Sequence, residues 1–439
     1  MKLRLALLLP LAAAALSAHP ARELVERTVA AEYPSLEAIY RDLHANPELS
    51  FMETRTAGIV AAELRRLGFT VTEKVGHTGV VAVLENGAGP TLLIRADMDA
   101  LPVKEDTGLP YASRAVVKDI AGKDQPAMHA CAHDAHVTGL IGTARTLLAA
   151  RAHWSGTLVL VAQPAEEIGA GARAMLGDGL FTKFPTPDHV IALHVGGDLP
   201  AGFVATLEGP SYANVDSVDI VVRGIGGHGA RPHSTRDPVV LSAQIVLALQ
   251  TIVARELKPG TPAVVTIGAL QAGTKRNIIP AEARLELTLR SYDEEVANHL
   301  IASIKRIAEH TARAAGLPDD LLPVVTVAEE RTPLTYNDPA LTRRLAATFA
   351  HWFPANQLGT VEPATYGEDF SQYGRTTHRV PISIFWIGGT DPEQLAAGRR
   401  AGKLVPSNHS NFWAPVPEPT LKASITAMTA AALELLGRK

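Results

Sequence analysis

The sequence predicts an α/β fold: a mostly parallel central sheet covered by helices, with a smaller α+β unit inserted into it. Three observations carry that expectation. Short apolar runs alternate with helical patterns up to about residue 212, which is how parallel strands with crossover helices read. From about Val215 the texture changes, and after about residue 325 the α/β texture returns. The chain has 439 residues, beyond the ~250–300 at which a single core usually stops growing, so more than one domain is the default.

Residues 53–67 place Ala57, Val60, Ala61, Leu64 and Leu67 on one helical face, and Gly68 follows as a stop. VVAVL (80–84) and TLLI (91–94) are apolar runs bounded by Gly or Pro, as buried strands are. Val137, Leu140, Ile141, Ala144, Leu147 and Leu148 recur at helical spacing and predict a helix over 136–150. LVLVA (158–162) and VIALHV (190–195) read as strands. VDIVV (218–222 within the run from Val215) is a strand, and 238–255 is a helix opened by Asp237 and Pro238. AVVTIGAL (263–270) is a strand; in 283–290 Leu285, Leu287 and Leu289 share one face; 293–315 is a second helix. The order β-α-β-β-α resembles a ferredoxin-like sandwich. A helix near 339–353, a strand at 382–388 and a final helix from about Pro419 complete the chain. The expected division is therefore 22–212 and 326–439 for the main domain, with 213–325 inserted.

Composition narrows the function classes. The chain is 46% hydrophobic and 20% charged with a formal net charge of −4, an ordinary globular balance. No basic stripe points to nucleic acid. Lys2 and Arg4, the apolar stretch Leu5–Leu16 and small residues at Ala15, Ser17 and Ala18 form the pattern of a signal peptide over 1–18. Export to the periplasm or medium is the expectation, with no membrane association after cleavage. No later segment reads as a membrane helix. An exported chain with one cysteine, Cys131, holds a reactive thiol, an intermolecular bridge or a metal ligand.

The chemistry-bearing residues fall at the ends of the expected strands. Asp97 follows TLLI, Glu166 and Glu167 follow LVLVA, His194 ends VIAL, and Cys131 and His133 lie in the turn that opens the 136–150 helix. Sites in open parallel sheets form outside the carboxyl ends of the strands. A lone His or an adjacent Glu pair is ordinarily packing or surface. Cys-x-His at a helix N-terminus is a stronger signal, because that end favours a thiolate.

Eight ordered segments then resemble one family: HANPELSFMET (44–54), IRADMDALPV (94–103), CAHDAH (131–136), PAEE (164–167), GIGGHGARPH (224–233), GTKRNIIPAEARLELTLR (273–290), YGEDFSQYG (366–374) and PSNHSNFW (406–413). The family is that of the co-catalytic zinc metallopeptidases and aminoacylases, which includes carboxypeptidase G, hippurate hydrolase and auxin-conjugate amidohydrolases. The chain is most similar to its cysteine-containing branch. The resemblance implies a metallopeptidase domain with an inserted dimerisation (lid) domain, and hydrolysis of the amide bond in an N-acyl amino acid or similar small substrate. It makes Cys131, His133, Glu167, His194 and His409 the ligands of two divalent ions, with zinc expected and manganese, cobalt or nickel open. Glu166 matches the general base, Asp97 a carboxylate that fixes a histidine's tautomer, and His228 a histidine that reaches a catalytic site in a homodimer. Asn277 and Arg290 match residues that hold the substrate carboxylate. Two departures stand out: Ala132 where many relatives have glycine, and HVGG (194–197) where many have proline after the histidine. His136, His233 and the Glu368–Asp369 pair lie in the same motifs, with packing an equal reading for each. A dipeptidase or carboxypeptidase, or a non-catalytic acyl-amino-acid binding protein, are the alternatives.

Overall fold

The computed structural model describes residues 19–328 and 331–437; the leader expected over 1–18 lies outside them. An eight-stranded sheet forms the larger unit. Its strands are β1 (Thr70–Val75), β2 (Gly79–Glu85), β3 (Thr91–Asp97), β4 (Thr157–Gln163), β5 (His189–Pro200), β6 (Val204–Thr206), β11 (Leu358–Thr360) and β12 (Ile382–Thr390). They lie in the order β1-β2-β4-β3-β5-β12-β6-β11. The four central strands β4, β3, β5 and β12 run parallel, and antiparallel pairings flank them.

Side-chain alternation places the core. Leu92, Ile94 and Ala96 of β3 enter one apolar cluster, and Leu93 enters the other, on the opposite face. The first cluster is closed by α1 (Arg22–Ala45), α2 (Thr54–Arg66), α3 (His133–Ala149), α6 (Pro339–Trp352) and α7 (Pro417–Leu436). Burial of these large apolar side chains, at ~25 cal/mol per Å² removed from water, is the main drive for this layering. The sequence reading passed over α1, which carries Pro34 inside it, and over the largely exposed β1.

The smaller unit is a four-stranded antiparallel sheet of β7 (Asn214–Arg223), β8 (Ala263–Ala272), β9 (Glu282–Ser291) and β10 (Val324–Val327), in the order β8-β9-β7-β10. The helices α4 (Pro238–Thr251) and α5 (Glu294–Ala314) complete a β-α-β-β-α-β order. The fourth strand, β10, is one that the sequence reading did not include. Asp237 and Asp293 cap the two helices by accepting from Val239 N–H and from Glu295 and Val296 N–H, the usual device for unpaired first-turn amides. Leu241, Ile245, Leu249 and Ile252 pack onto the sheet as part of a third apolar cluster. The segment Pro238–Glu256 has a mean hydropathy of 1.6 and is long and apolar enough to cross a bilayer, which corrects the reading that no later segment has that character. Its apolarity has two sides: one face is buried on the sheet, and Val240 and Leu247 stand exposed on the other.

Candidate metal centre

The strand ends position the donors. β4 runs into the turn Pro164–Glu167, and Ala165 there has a φ of +51°. Ala132, with a φ of +66°, turns the chain into α3, so Cys131 precedes and His133 begins the helix. β5 is longer than expected and places His194 within the strand, paired with Trp386 of β12. His194 still lies beyond the last rung that β5 shares with β3, Arg95 with Ala192. His409 sits in the loop before α7, also at a positive φ of +66°, tied by its N–H to the carbonyl of Ala130 at 2.8 Å.

These turns bring all five expected ligands together. Donor atoms of Cys131, His133 and His194 form one compact group, and those of Cys131, Glu167 and His409 form another. Cys131 belongs to both. Its Sγ lies 3.5 Å from His194 Nε2, and His409 Nε2 lies 3.5 Å from Glu167 Oε2. His133 Nε2 stands 3.9 Å from Glu167 Oε1 and 4.0 Å from Glu166 Oε2.

The ring orientations are set from behind. His133 Nδ1 donates to the backbone carbonyl of Asp99 at 2.8 Å, and His194 Nδ1 to that of Val195 at 3.0 Å. A proton held on Nδ1 leaves Nε2 as a lone-pair donor facing the cluster. Asp97 stands beside a histidine, as expected of it. Its Oδ1 bonds His136 Nδ1 at 2.5 Å, so the tautomer it fixes is that of His136. His136 Nε2 then accepts from Val195 N–H at 2.8 Å. His136 thus supports the strand beside His194. The other Asp97 oxygen meets Arg95, a fully buried cation that also pairs with Glu368 at 2.8 Å and Asp369 at 3.1 Å. Arg95 and Asp99 are residues that sequence reasoning missed. The only signal was their place in the IRADMDALPV segment, since neither lies on a periodic face.

A cleft of about 370 Å³ opens over the donors. Cys131, Glu166, Glu167, His194 and His409 line one side, and Val215, Ser217 and Arg290 of the four-stranded unit line the other. Arg290 is where the sequence placed it. His228 and Asn277 are not brought to the cleft within this chain: both are exposed, His228 in a two-residue strand (Gly227–His228) paired with Ile278–Ile279 and Asn277 in the turn before Ile278, with the Gly229 N–H bonded to the Asn277 carbonyl at 2.9 Å. His233 is likewise exposed.

The electrostatics suit cations. Burial, reinforced by Glu167, pushes the Cys131 thiol well above its usual range. Burial and the nearby Glu368 and Glu167 raise the Glu166 carboxyl, and burial raises Glu167 to about 8. Burial also holds His194 well below an ordinary histidine. A buried divalent ion reverses this logic, because it stabilises thiolate and carboxylate directly. Two buried atoms of the cluster, His133 Nε2 and Glu167 Oε1, have no hydrogen-bond partner among the described residues, an expensive state for polar groups unless they are donors to something else. The residues present therefore fit metal ions.

Comparison with known proteins agrees. Thermostable carboxypeptidase 2 of Saccharolobus solfataricus is 36% identical over 393 residues, which cover 89% of this chain and 92% of that protein. Hippurate hydrolase of Campylobacter jejuni is 41% identical over 282 residues, 63% of this chain and 70% of that one. The crystal structure of the Bacillus subtilis YXEP protein, a dinuclear metal binding peptidase, matches with a TM-score of 0.74 and 30% identity over 93% of this chain and 99% of its own. The model of peptidase family M20/M25/M40 covers residues 93–401, a span holding four of the five donors. A thiol shared by two donor groups, on this fold and in this sequence context, places the chain in peptidase family M20/M25/M40, whose chemistry here is metal-dependent hydrolysis of an amide bond.

Proposed function

We propose that the enzyme releases amino acids from N-acyl amino acids, with Cys131, His133, Glu167, His194 and His409 holding two divalent ions, zinc foremost. The observation that carries this is the sharing of Cys131 between the two donor groups. A thiolate with imidazoles and a carboxylate suits a borderline-soft ion such as zinc. Bound there, such ions supply Lewis acidity toward a water and the scissile carbonyl oxygen. Glu166 is the neighbour of a ligand and itself lies toward Glu368 and Asp369. Its carboxylate takes the water proton and delivers it to the leaving nitrogen. Arg290, on the opposite wall, meets the carboxylate of the amino acid.

The cleft lining favours acylated over free dipeptides. Among the described residues its acidic side chains are Glu166 and Glu167, both assigned above, and none of those residues adds a further acidic partner for a free substrate amine. A rate series of N-acetyl and N-benzoyl amino acids against free dipeptides, with the metal-loaded protein, tests this. Faster turnover of the free dipeptides would give the site to a dipeptidase.

The working form is proposed to be an exported homodimer. The leader pattern of 1–18 supports export, and cell fractionation checks it. The exposed apolar positions Val240 and Leu247 on α4, with Val264 and Leu270 on the edge strand β8, support a covered face between two copies. His228 and Asn277 then serve the partner's cleft.

A further inference from the structure

The segment HANPELSFMET (44–54) links α1 to α2, and the function above leaves it without a task. None of its side chains lines the cleft. Two of them nevertheless reach the turn that carries Glu166 and Glu167. Glu53, fully buried, accepts the Ala165 N–H on Oε1 at 2.8 Å, and the Thr78 hydroxyl donates to its Oε2. Ser50 Oγ donates to Asp99 Oδ2 at 2.6 Å. Asp99, also buried, accepts the Glu166 N–H on Oδ1 and the Glu167 N–H on Oδ2, each at 3.0 Å.

Three consecutive amides, of residues 165, 166 and 167, therefore end on two buried carboxylates. Outside a helix N-terminus, successive N–H groups are brought onto anions by turns that combine helical and left-handed residues. Here Ala165 supplies the left-handed residue, with its φ of +51°, a region that a residue with a Cβ enters at a cost. The turn has a chemical result. Both adjacent carboxylates reach His133, but their other neighbours differ: Cys131 and His409 for Glu167, and Glu368 and Asp369 for Glu166.

We propose that Glu53 and Asp99 are positioning residues whose carboxylates hold the Ala165–Glu167 turn in its left-handed form, and so give the base Glu166 and the ligand Glu167 their different neighbours. The proposal rests on the roles given to those two glutamates above. It also assigns the 44–54 segment a purpose: Ser50 and Glu53 anchor the clamp from the α1–α2 connection.

The test compares Glu53→Ala, Glu53→Gln and Ser50→Ala in the full chain. Amide hydrogen exchange over 163–171 in metal-free protein reads the turn directly. Glu53→Ala should accelerate exchange there roughly tenfold or more, with the four-stranded unit unchanged, as for a local opening. In metal-loaded protein kcat should fall roughly 10–100-fold, the range for losing an outer partner of a metal ligand, while KM stays within about twofold. Glu53→Gln keeps a carbonyl acceptor for the Ala165 N–H and should restore most of both. Exchange or kcat at the parent's value in Glu53→Ala overturns the proposal, as does a Glu53→Gln variant no better than Glu53→Ala. Should Glu53→Ala not fold, Ser50→Ala decides. It removes the hydroxyl that holds Asp99 Oδ2, the oxygen that accepts the Glu167 N–H, so faster exchange at 166 and 167 with lower kcat supports the clamp, and parent-like values of either overturn it. Exchange needs neither metal nor substrate. A parent that hydrolyses no acyl amino acid would therefore refute the functional reading and leave the exchange result on the clamp intact.

Discussion

Apart from Arg290, the expected site residues stand on two walls held by different means: the side of the cleft formed with the eight-stranded sheet, and an exposed face of the four-stranded unit away from that cleft. On the side of the eight-stranded sheet, Cys131, His133 and His194 are buried, and both histidines have Nδ1 tied to a backbone carbonyl. On the side of the four-stranded unit, His228 and Asn277 are exposed. His228 Nδ1 faces inward to its own turn, accepting from Ala230 N–H at 3.0 Å. The first wall is organised by folding of one chain. The second displays its polar residues on a surface, where the proposed homodimer would set them against a partner. The difference teaches that a donor cluster and the groups that assist it need not be completed by the same folding event.

The sharpest break in the first wall is Glu166→Gln. It should retain both ions by metal analysis and lose roughly 10²–10⁴-fold in kcat, as for a lost general base; near-normal turnover would remove Glu166 from that role. His228→Ala breaks the second wall. It should lose about 10²–10³-fold in kcat, the scale of a missing donor to a developing oxyanion, with metal content unchanged. Mixing these two inactive variants gives a more demanding measurement. If His228 serves the partner's cleft, subunit exchange should recover about a quarter of parental activity, since random pairing leaves half the dimers with one complete site. No recovery after verified exchange would put His228 in its own chain's site or outside catalysis.

Leu247→Asp tests the covered face with a smaller, graded effect. Leu247 is 72% exposed on α4, so the charge should not disturb the monomer's core. Sedimentation should show monomers, and activity should fall with the dimer fraction. A fully active monomer would end the two-chain account.

The smallest effect is on stability. His44 is buried between Asp134, at 2.6 Å, and Glu105, at 3.1 Å. Burial alone would lower its pKa, but the hydrogen bonds to the two carboxylates outweigh it and raise the group to about 9. A pKa above the unfolded value of about 6.5 means that the folded state binds the proton more tightly. The stabilisation, up to about 3 kcal/mol, is therefore full below pH ~6.5 and is lost as pH rises toward 9. Comparing Tm of the parent and His44→Gln across that window should show the gap narrowing with rising pH; a constant gap would mean His44 is not protonated in the fold.

Much of this was legible before any coordinates. β3, β4 and β5 announce themselves as apolar runs between turns, and α3 by its spacing, because burial on a sheet or helix face leaves a period. The donors were legible because they cluster at those elements' ends. What escaped acts without a period. Asp99 and Glu53 work by accepting backbone amides, and a residue that grips a backbone leaves no requirement on the side chain it grips. Arg95 sits at an apolar strand position and looks misplaced until Asp97, Glu368 and Asp369 are seen around it. The sequence assigns Asp97 a histidine to orient but not which one, since His133 and His136 share a helix face; the structure makes it His136. α1 was passed over because Pro34 interrupts it in sequence while Val25, Val29, Leu36, Tyr40 and Leu43 bury one side.

One further consequence follows from the lone thiol. Cys131 is the chain's single sulfhydryl, 6% exposed. Oxidants attack thiolates that have free lone pairs, so loss of activity under peroxide should follow one-hit kinetics and depend on how fully the centre is loaded. A sulfhydryl-reactive dye added to native protein then reports on this residue alone, reached through the cleft that it lines.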